Sequence, residues 1–243
     1  MNALQTYRLR ATWELASVGR SLFVLIPAQL VFAATLAIGF GLLIPDVTSA
    51  TARFLITGTP TMAMLTIGLV LLPQDLARQR ENGVDDFLRT IPGSRIAHLA
   101  GLLTPHLVMN LPGSLLAVGV AAWYYDLALD PSLLVLPALM MVSVTGASIG
   151  NAIAVASPSP VATAMVSQLA LFFVMLFSPI NYPADRLPGW LQRLHEVLPF
   201  EAMAATVRSS LIGDRVPVGD VVHLAMWAII SFAVSAAFAR HRS

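Results

Sequence analysis

The sequence has neither cysteine nor lysine, and it has few charged residues of any kind. Of its 243 residues, 11% are charged, and all 14 residues counted as Lys+Arg are arginine; soluble domains average about 25% charged residues. The absence of cysteine excludes disulfides, thiolate metal sites and S-acylation. The absence of lysine excludes the phosphate-binding motif G-x-x-x-x-G-K-S/T, so this chain is not by itself a Walker-type ATPase.

Hydrophobic residues, by contrast, are abundant. They make up 57% of the chain, and the mean hydropathy is +0.76. A membrane-spanning helix needs about 20 mostly apolar residues. Six stretches qualify: 22–44, 54–72, 96–125, 133–156, 161–180 and 221–239. The sequence therefore predicts an all-α, polytopic membrane protein with six transmembrane helices, folded as a single domain over residues 1–243.

The arginines predict which side of the membrane each loop faces. Cytoplasmic loops retain positive charge. With the N-terminus inside, nine arginines are cytoplasmic and five are outside. The nine are Arg8, Arg10, Arg20, Arg78, Arg80, Arg89, Arg95, Arg240 and Arg242; the five are Arg53, Arg186, Arg193, Arg208 and Arg215. We therefore expect a multi-pass protein of the plasma membrane with both termini in the cytoplasm.

Residues 1–20 precede the first apolar stretch and have an amphipathic pattern. Apolar residues recur at helical spacing, opposite Arg8, Arg10 and Glu14, and Trp13 lies nearby. The apolar positions are Leu4, Tyr7, Ala11, Leu15 and Val18. This pattern favours a helix lying in the cytoplasmic interface of the membrane. The alternative is a charged N-terminal anchor without a defined surface helix.

The cytoplasmic segment 74–95 contains the sequence RQRENGVDDFLRTIPGSR. Asn82 is suited to cap a short helix, and Pro92-Gly93 is suited to end it. The apolar residues of this helix share one face: Val84, Phe87, Leu88 and Ile91. A two-turn helix is marginal alone. It must therefore dock on the membrane helices of its own chain or in a groove of a cytoplasmic partner.

The outer segment 177–217 predicts two short helices. Pro188 is placed to start the first, Pro199 separates the two, and Gly213 ends the second. Each is too short to span the membrane, so they are interpreted as re-entrant or amphipathic helices over residues 181–217. We assign a candidate outer gate or lid to Pro179, Tyr182, Pro183, Leu187, Pro188, Trp190 and Pro199. The alternative is interfacial anchoring without a gating role.

The interiors of the apolar stretches contain no Asp, Glu or Arg. Ion-driven transporters usually place ionisable groups there, so a proton-driven mechanism is disfavoured. Neutral polar residues are present, and Asn110, Asn151 and Gln168 are candidates for lining a substrate path; helix packing is the alternative. Gly146 and Gly150 should let another helix approach closely. The sequence has no local catalytic signature and no metal-binding spacing such as H-E-x-x-H.

The cytoplasmic segment resembles the loop after the second span of ABC-2 type transporter permeases, which follows the pattern R-E-x-G-T/V-x-x-x-L-x-T/S-x-P-x-S/T-R. The matching residues are Arg80, Glu81, Gly83, Val84, Leu88, Thr90, Pro92, Ser94 and Arg95. The outer segment resembles the same family at Pro183, Leu187, Pro188, Trp190, Pro199 and Arg208. With six apolar stretches in the right order, the resemblance extends over nearly the whole chain.

The resemblance implies a permease that pairs with a second copy or a similar permease and with separate cytoplasmic ABC ATPase subunits. ATP and Mg would be bound by those ATPases, and this chain would hold no cofactor and bind no nucleic acid. The expected ATPase contacts are Arg80, Glu81, Gly83, Asp85, Asp86, Phe87, Leu88 and Arg89. The expected activity is efflux of hydrophobic or amphiphilic cargo, such as drugs, antibiotics or lipid-like compounds. The alternatives are a non-transporting scaffold or assembly subunit and a proton-driven secondary exporter.

Overall fold

The computed structural model describes residues 2–19, 22–43, 48–84 and 95–241. In this part of the chain all the long regular elements are helices. In chain order they are α1 (Ala3–Gly19), α2 (Leu22–Leu43), α3 (Ser49–Thr66), a π-helical segment (Ile67–Leu71), α4 (Leu72–Glu81), α5 (Arg95–Tyr124), α6 (Val135–Ala156), α7 (Pro160–Phe177), a 3-10 turn (Ala184–Arg186), α8 (Gly189–Val197), α9 (Phe200–Leu211) and α10 (Val218–His241).

The helices confirm an all-helical protein with several membrane-type segments. Each of the six apolar stretches lies mainly within a helix. By length and composition, three helices of the described residues can cross a membrane: Ser49–Glu81, Val135–Ala156 and Pro160–Phe177. Shorter apolar helical segments are Ile26–Gly39, Leu111–Tyr124 and Val218–Val234. The count of six spans therefore stays a prediction.

The second apolar stretch belongs to a single helical run, Ser49–Glu81, which we call the central run. It consists of α3, the π-helical segment and α4. The N–H of Leu72 donates to the carbonyl of Ile67, five residues earlier, as in a π turn. Pro73 follows at the start of α4, where its missing N–H leaves one carbonyl of the preceding turn without a helical donor. The run therefore changes its helical pitch near the middle without ending.

The central run packs closely against α6 at this change of pitch. A Cβ added to Gly68 would lie 2.7 Å from the carbonyl carbon of Gly146 and 2.9 Å from the backbone nitrogen of Ala147. The two backbones therefore touch directly. This confirms the expectation that Gly146 and Gly150 let another helix approach.

The central run lies in the core, whereas α7 lies at the edge. The run packs on α2, α5, α6, α7 and α9. Its fully buried side chains include Leu55, Ile56, Met62, Met64, Leu65, Leu69 and Leu72. Few residues of α7 are instead buried, and its exposed apolar side chains include Val161, Met165, Leu169 and Leu176. Such a face suits a lipid environment, where exposed apolar side chains carry no penalty.

The N-terminal helix is present, but two of its three charged residues face the protein instead of water, whereas Arg8 is exposed. Its place in the membrane interface stays a prediction. Leu4 and Leu15 are exposed, as expected of a membrane-facing surface, whereas Arg10 and Glu14 are buried against the rest of the chain. Arg10 and Glu14 form an ion pair of 2.6 Å within α1. The two charges compensate each other, which allows both residues to be buried.

Candidate functional site

The candidate site has two parts. The one at the end of α4 is predicted to face the cytoplasm and is called the inner part; the one around α8 and α9 is predicted to face outside and is called the outer part. At the inner part, the Arg80 guanidinium donates to the carbonyl of Ala154 at 3.2 Å and to that of Ser157 at 2.9 Å. These carbonyls belong to the C-terminus of α6, which attracts cations and leaves carbonyls in need of donors. Arg80, an expected ATPase contact, therefore joins α4 to α6 within the chain.

The helix α4 ends with a glycine cap. The N–H of Gly83 donates to the Arg80 carbonyl at 3.1 Å, and Gly83 has φ +73°, a conformation that glycine adopts readily. Asn82 closes this helix. The residues that would form the start of the next one lie outside the described part of the chain, so the capping of that helix by Asn82 stays a prediction. The first residues of segment 74–95, up to Glu81, are a continuation of the central run.

Three polar residues remain exposed at this end: Arg78, Glu81 and Asn82. We call them the inner edge. The other expected ATPase contacts, Asp85, Asp86, Phe87, Leu88 and Arg89, lie outside the described residues. Their assignment stays a prediction.

A chain of polar contacts joins α1 to α4 near the inner edge. Arg10 Nη2 donates to Gln79 Oε1 at 2.8 Å, and Gln79 Nε2 donates to Asp75 Oδ2 at 2.8 Å. Arg10 also lies over the Trp13 ring, 4.6 Å from its centroid. Sequence reasoning missed this connection. The available signal in the sequence was the spacing of Arg10 and Glu14, which indicates an i,i+4 pair within α1 but not the contact with α4.

The outer part contains the two short helices expected from the sequence. The first, α8, begins directly after Pro188; Pro199 separates it from α9, and Gly213, with φ +74°, follows the second. We call α8 and α9 the outer helix pair. Their bounds confirm the reading of proline and glycine as breaks between helices.

An open groove of about 490 Å³ lies beside the outer helix pair. Four of the seven predicted lid residues line it: Tyr182, Leu187, Pro188 and Trp190. The Tyr182 hydroxyl donates to the Leu176 carbonyl at 2.7 Å, which folds the chain back after α7. The other three are placed elsewhere: Pro179 and Pro199 are buried, and Pro183 is half-buried before the 3-10 turn.

A buried histidine attaches α8 to the end of α7. His195 is 1% exposed, its Nε2 lies 2.8 Å from the Phe177 carbonyl, and its ring stacks on Phe173. Because a carbonyl only accepts, Nε2 carries the proton. Burial lowers the pKa of His195, while the Phe177 carbonyl opposes this shift. The imidazole is therefore neutral at physiological pH, and no sequence motif had pointed to it.

The last turn of α8 is also attached to α10. Trp227 Nε1 donates to the Val197 carbonyl at 2.7 Å, and His223 Nε2 lies 2.9 Å from the same oxygen. Val197 is the last residue of α8, where carbonyls lack helical donors. The last turn of α8, which contains His195 and Val197, is thus held by side-chain contacts to both α7 and α10.

Arg208 on α9 contacts two other parts of the chain. Its Nε donates to Thr57 Oγ1 at 3.2 Å, and its Nη2 donates to the Ile180 carbonyl at 2.8 Å. Its guanidinium carbon lies 4.0 Å from the centroid of the Phe54 ring. Burial lowers the pKa of Arg208 to about 10, and nearby Glu201 opposes the shift. The side chain therefore remains charged at neutral pH.

The predicted substrate-path residues occupy different environments. Asn151 is buried within α6, whereas Gln168 is exposed on α7. Asn110 belongs to α5, and its side chain lies outside what the structure describes. The substrate path therefore stays a prediction. Among the described residues, no group of three or more His, Asp or Glu side chains is placed to hold a metal ion.

Comparisons with known proteins agree with this architecture. The model of the ABC-2 type transporter family matches residues 5–212. The chain is also similar to the "Probable multidrug ABC transporter permease YbhS" of Escherichia coli K12 and to the protein of that name from Escherichia coli O157:H7. Each is 25% identical over 176 residues, which cover 71% of this chain and 46% of the relative. The chain therefore spans about half the length of these curated relatives.

The family match covers far more than half of the sequence, and its range takes in both the inner edge and the outer helix pair. The apolar helices fit a protein embedded in the membrane. This chain is a membrane-integral protein that belongs to the ABC-2 type transporter family.

Proposed function

We propose that this chain is the permease subunit of an ATP-driven exporter and is powered by separate cytoplasmic ATPase subunits. The observation that carries the proposal is the central run, which continues from the buried core to the exposed inner edge in a chain of this family. A helix that reaches both places can transmit force between them. ATP and Mg are bound by the partner, and two permeases and two ATPases form the working transporter.

The contacts around the inner edge fit this role. Arg80 attaches the end of the central run to α6, and Arg10 with Gln79 attaches it to α1. A force applied at Glu81 is therefore passed to three helices together instead of bending a loose loop. Residues 85–89 complete the contact with the ATPase.

The cargo that we propose is hydrophobic or amphiphilic, such as a drug, an antibiotic or a lipid-like compound. Apolar spans without Asp, Glu or Arg in their interiors suit such molecules, and the similar Escherichia coli permeases are named as probable multidrug transporters. Transport runs outward across the plasma membrane, and both termini are cytoplasmic.

The test is reconstitution of the purified chain in lipid vesicles with an ABC ATPase that co-purifies with it. We expect ATPase activity that depends on this chain and ATP-dependent movement of a fluorescent amphiphilic drug. Glu81→Lys should reduce both by about tenfold, because it reverses the charge of an exposed contact. The matched control is Glu196→Lys, the same reversal at an exposed position of α8, which should leave both unchanged.

Two results would contradict the proposal. Transport that is abolished by collapsing the proton gradient but indifferent to ATP would identify a secondary exporter. A chain that binds the ATPase yet neither stimulates it nor moves any cargo would be a scaffold or assembly subunit.

A further inference from the structure

We propose that Arg208 is the positioning residue that clamps the outer helix pair to the central run, so that the two move as one body. The clamp consists of Arg208, Thr57, Phe54 and the Ile180 carbonyl. Only the consequence for transport rests on the proposed function; the clamp itself follows from the contacts.

Arg208 contacts two elements outside the outer helix pair: the central run and the connection after α7. Thr57 and Phe54 belong to the outer half of the central run, and Ile180 belongs to the connection after α7. Among the side-chain hydrogen bonds of the described residues, those of Arg208 link the outer helix pair to α3. His195, His223 and Trp227 link it to α7 and α10 instead.

The acceptor on the central run is oriented for this contact. The Thr57 hydroxyl donates its own proton to the Arg53 carbonyl at 2.6 Å, so a lone pair is left for Arg208 Nε. Thr57 is fully buried. An unmade hydrogen bond at this position would leave a buried polar atom without a partner, which is costly.

The chemistry of the clamp favours arginine over lysine. In the described part of the chain, no carboxylate lies within ion-pair distance of Arg208. Nearby Glu201 stabilises the charge without contacting it, and the direct contacts of the guanidinium are two neutral acceptors and an aromatic face. A planar guanidinium can donate in two directions and stack on a ring at the same time, whereas an ammonium is a compact point charge.

The connection after α7 fits against α3 because Gly58 has no side chain. A Cβ at Gly58 would lie 2.5 Å from Asn181 Oδ1 and 3.0 Å from the Ile180 carbonyl carbon. Gly58 is adjacent to Thr57, so the close approach and the hydrogen bond occur on the same turn of the helix. This places the Ile180 carbonyl within reach of Arg208.

The experiment measures the position of the outer helix pair directly. The chain has no cysteine, so cysteines introduced at Ser49 and Arg193, both exposed, take spin labels without background. Labelled chain is diluted with unlabelled chain in lipid vesicles, and the distance distribution between α3 and α8 is recorded. Arg208→Gln should broaden this distribution about twofold. The distribution of Arg208→Lys should be narrower than that of Arg208→Gln but broader than that of the natural chain.

Control variants distinguish loss of the Arg208 contacts from a general loss of stability. Arg215→Gln, the same change at an exposed arginine, should leave the distribution unchanged. Thr57→Val keeps Arg208 and removes one acceptor, so it serves if Arg208→Gln does not fold, and it should broaden the distribution less. Two results would overturn the clamp: a distance distribution that is unchanged in the folded variants, or one that is as broad in Arg208→Lys as in Arg208→Gln.

A second arm tests the joint movement with the partner ATPase. On addition of ATP, the Ser49–Arg193 distance should stay constant in the natural chain and change in Arg208→Gln, which should keep its ATPase stimulation and lose about tenfold in transport. A distance that changes in the natural chain would contradict joint movement. Absence of any ATP-dependent activity in the natural chain would instead count against the proposed function and leave the first arm valid.

Discussion

At the inner end of the central run, side chains of the run itself bind neighbouring helices. At its outer end, a side chain of another helix binds the run. Arg80 and Gln79 extend from α4 to α6 and α1, whereas Arg208 extends from α9 to Thr57. Both ends use arginine, and both use backbone carbonyls as acceptors. The run is therefore fastened at its ends by directional polar contacts and in its middle by close packing.

The two ends differ in how charge is compensated. At the inner end, Arg10 is paired with Glu14, and Gln79 contacts Asp75. At the outer end, the direct contacts of Arg208 are neutral groups; burial lowers its pKa to about 10, and Glu201 opposes this shift only from a distance. The packing of the inner end should therefore depend on its carboxylates, whereas the packing of the outer end should depend on the shape of the cation.

The largest effect is expected in the middle, where loss of packing should loosen both ends together. Gly68→Val would place side-chain atoms against the backbone of Gly146 and Ala147. Overpacking against backbone should destabilise the protein by about 3 kcal/mol or more, measured as thermal unfolding in detergent micelles. Gly119→Val is the control, because a Cβ there meets open space. Equal unfolding temperatures for the two variants would refute the close contact.

The next effect concerns the inner end alone. Glu14→Ala removes the carboxylate that pairs with Arg10. Breaking a buried pair typically costs about 3–5 kcal/mol, and we expect a loss at or below the lower end of this range, because Arg10 keeps its contacts with Gln79 and Trp13. Replacing both residues, as Arg10→Met with Glu14→Leu, should be less harmful than the single change, because no charge is left buried. Unfolding temperatures of both variants check this. A double variant as unstable as the single one would show that charge compensation is not the reason.

A smaller and local effect is expected from Arg80→Gln. It removes two charge-assisted hydrogen bonds to the end of α6, which should lower the local opening free energy by about 2 kcal/mol. Hydrogen exchange should therefore speed up in residues 78–83 and 153–159 but not in the outer helix pair. Arg78→Gln, at an exposed neighbouring position, should leave exchange unchanged. Faster exchange in α9 as well would show that the two ends are not fastened independently.

The smallest effect is a pH dependence at the outer end. Burial lowers the pKa of His195 below its ordinary value of 6.5, so the unfolded chain binds a proton more readily than the folded chain. Stability should be constant above about pH 6.5 and should fall as the pH drops below it, by a few degrees in unfolding temperature. His195→Gln, which keeps a donor, should flatten this dependence. A slope that persists in the variant would assign the titration to another group.

Much of the fold could be predicted because the signals are local. Long apolar stretches identify membrane helices, and Pro188, Pro199 and Gly213 mark the outer helix pair within their own neighbourhood of sequence. The place of Asn82 after Glu81 was not foreseen, because asparagine is favoured at both ends of helices. The central run also extends beyond its apolar part into LPQDLARQRE, where hydropathy gives no signal.

The fastening contacts could not be predicted, because their partners are far apart in sequence. Arg10 and Gln79 are 69 residues apart, Arg80 and Ser157 are 77 apart, and Arg208 and Thr57 are 151 apart. A single sequence shows that arginines are present but not which carbonyl or hydroxyl each one meets. Burial of Arg10 and Glu14 was missed for the same reason, since α1 packs mainly on α5, and Arg10 also contacts Gln79 of α4.

The π-helical segment sets the angular relation between the two halves of the central run. Each α-helical residue turns the chain by about 100°, and the bond from Leu72 to Ile67 encloses one residue more than an α-helical bond does. Deleting one residue within Ile67–Leu71 would therefore rotate Gln79 and Arg80 by about 100° relative to Thr57. Both inner arginine contacts would then point away from their acceptors while the outer clamp stayed in place. The five residues of this segment therefore determine which side of α4 faces α1 and α6.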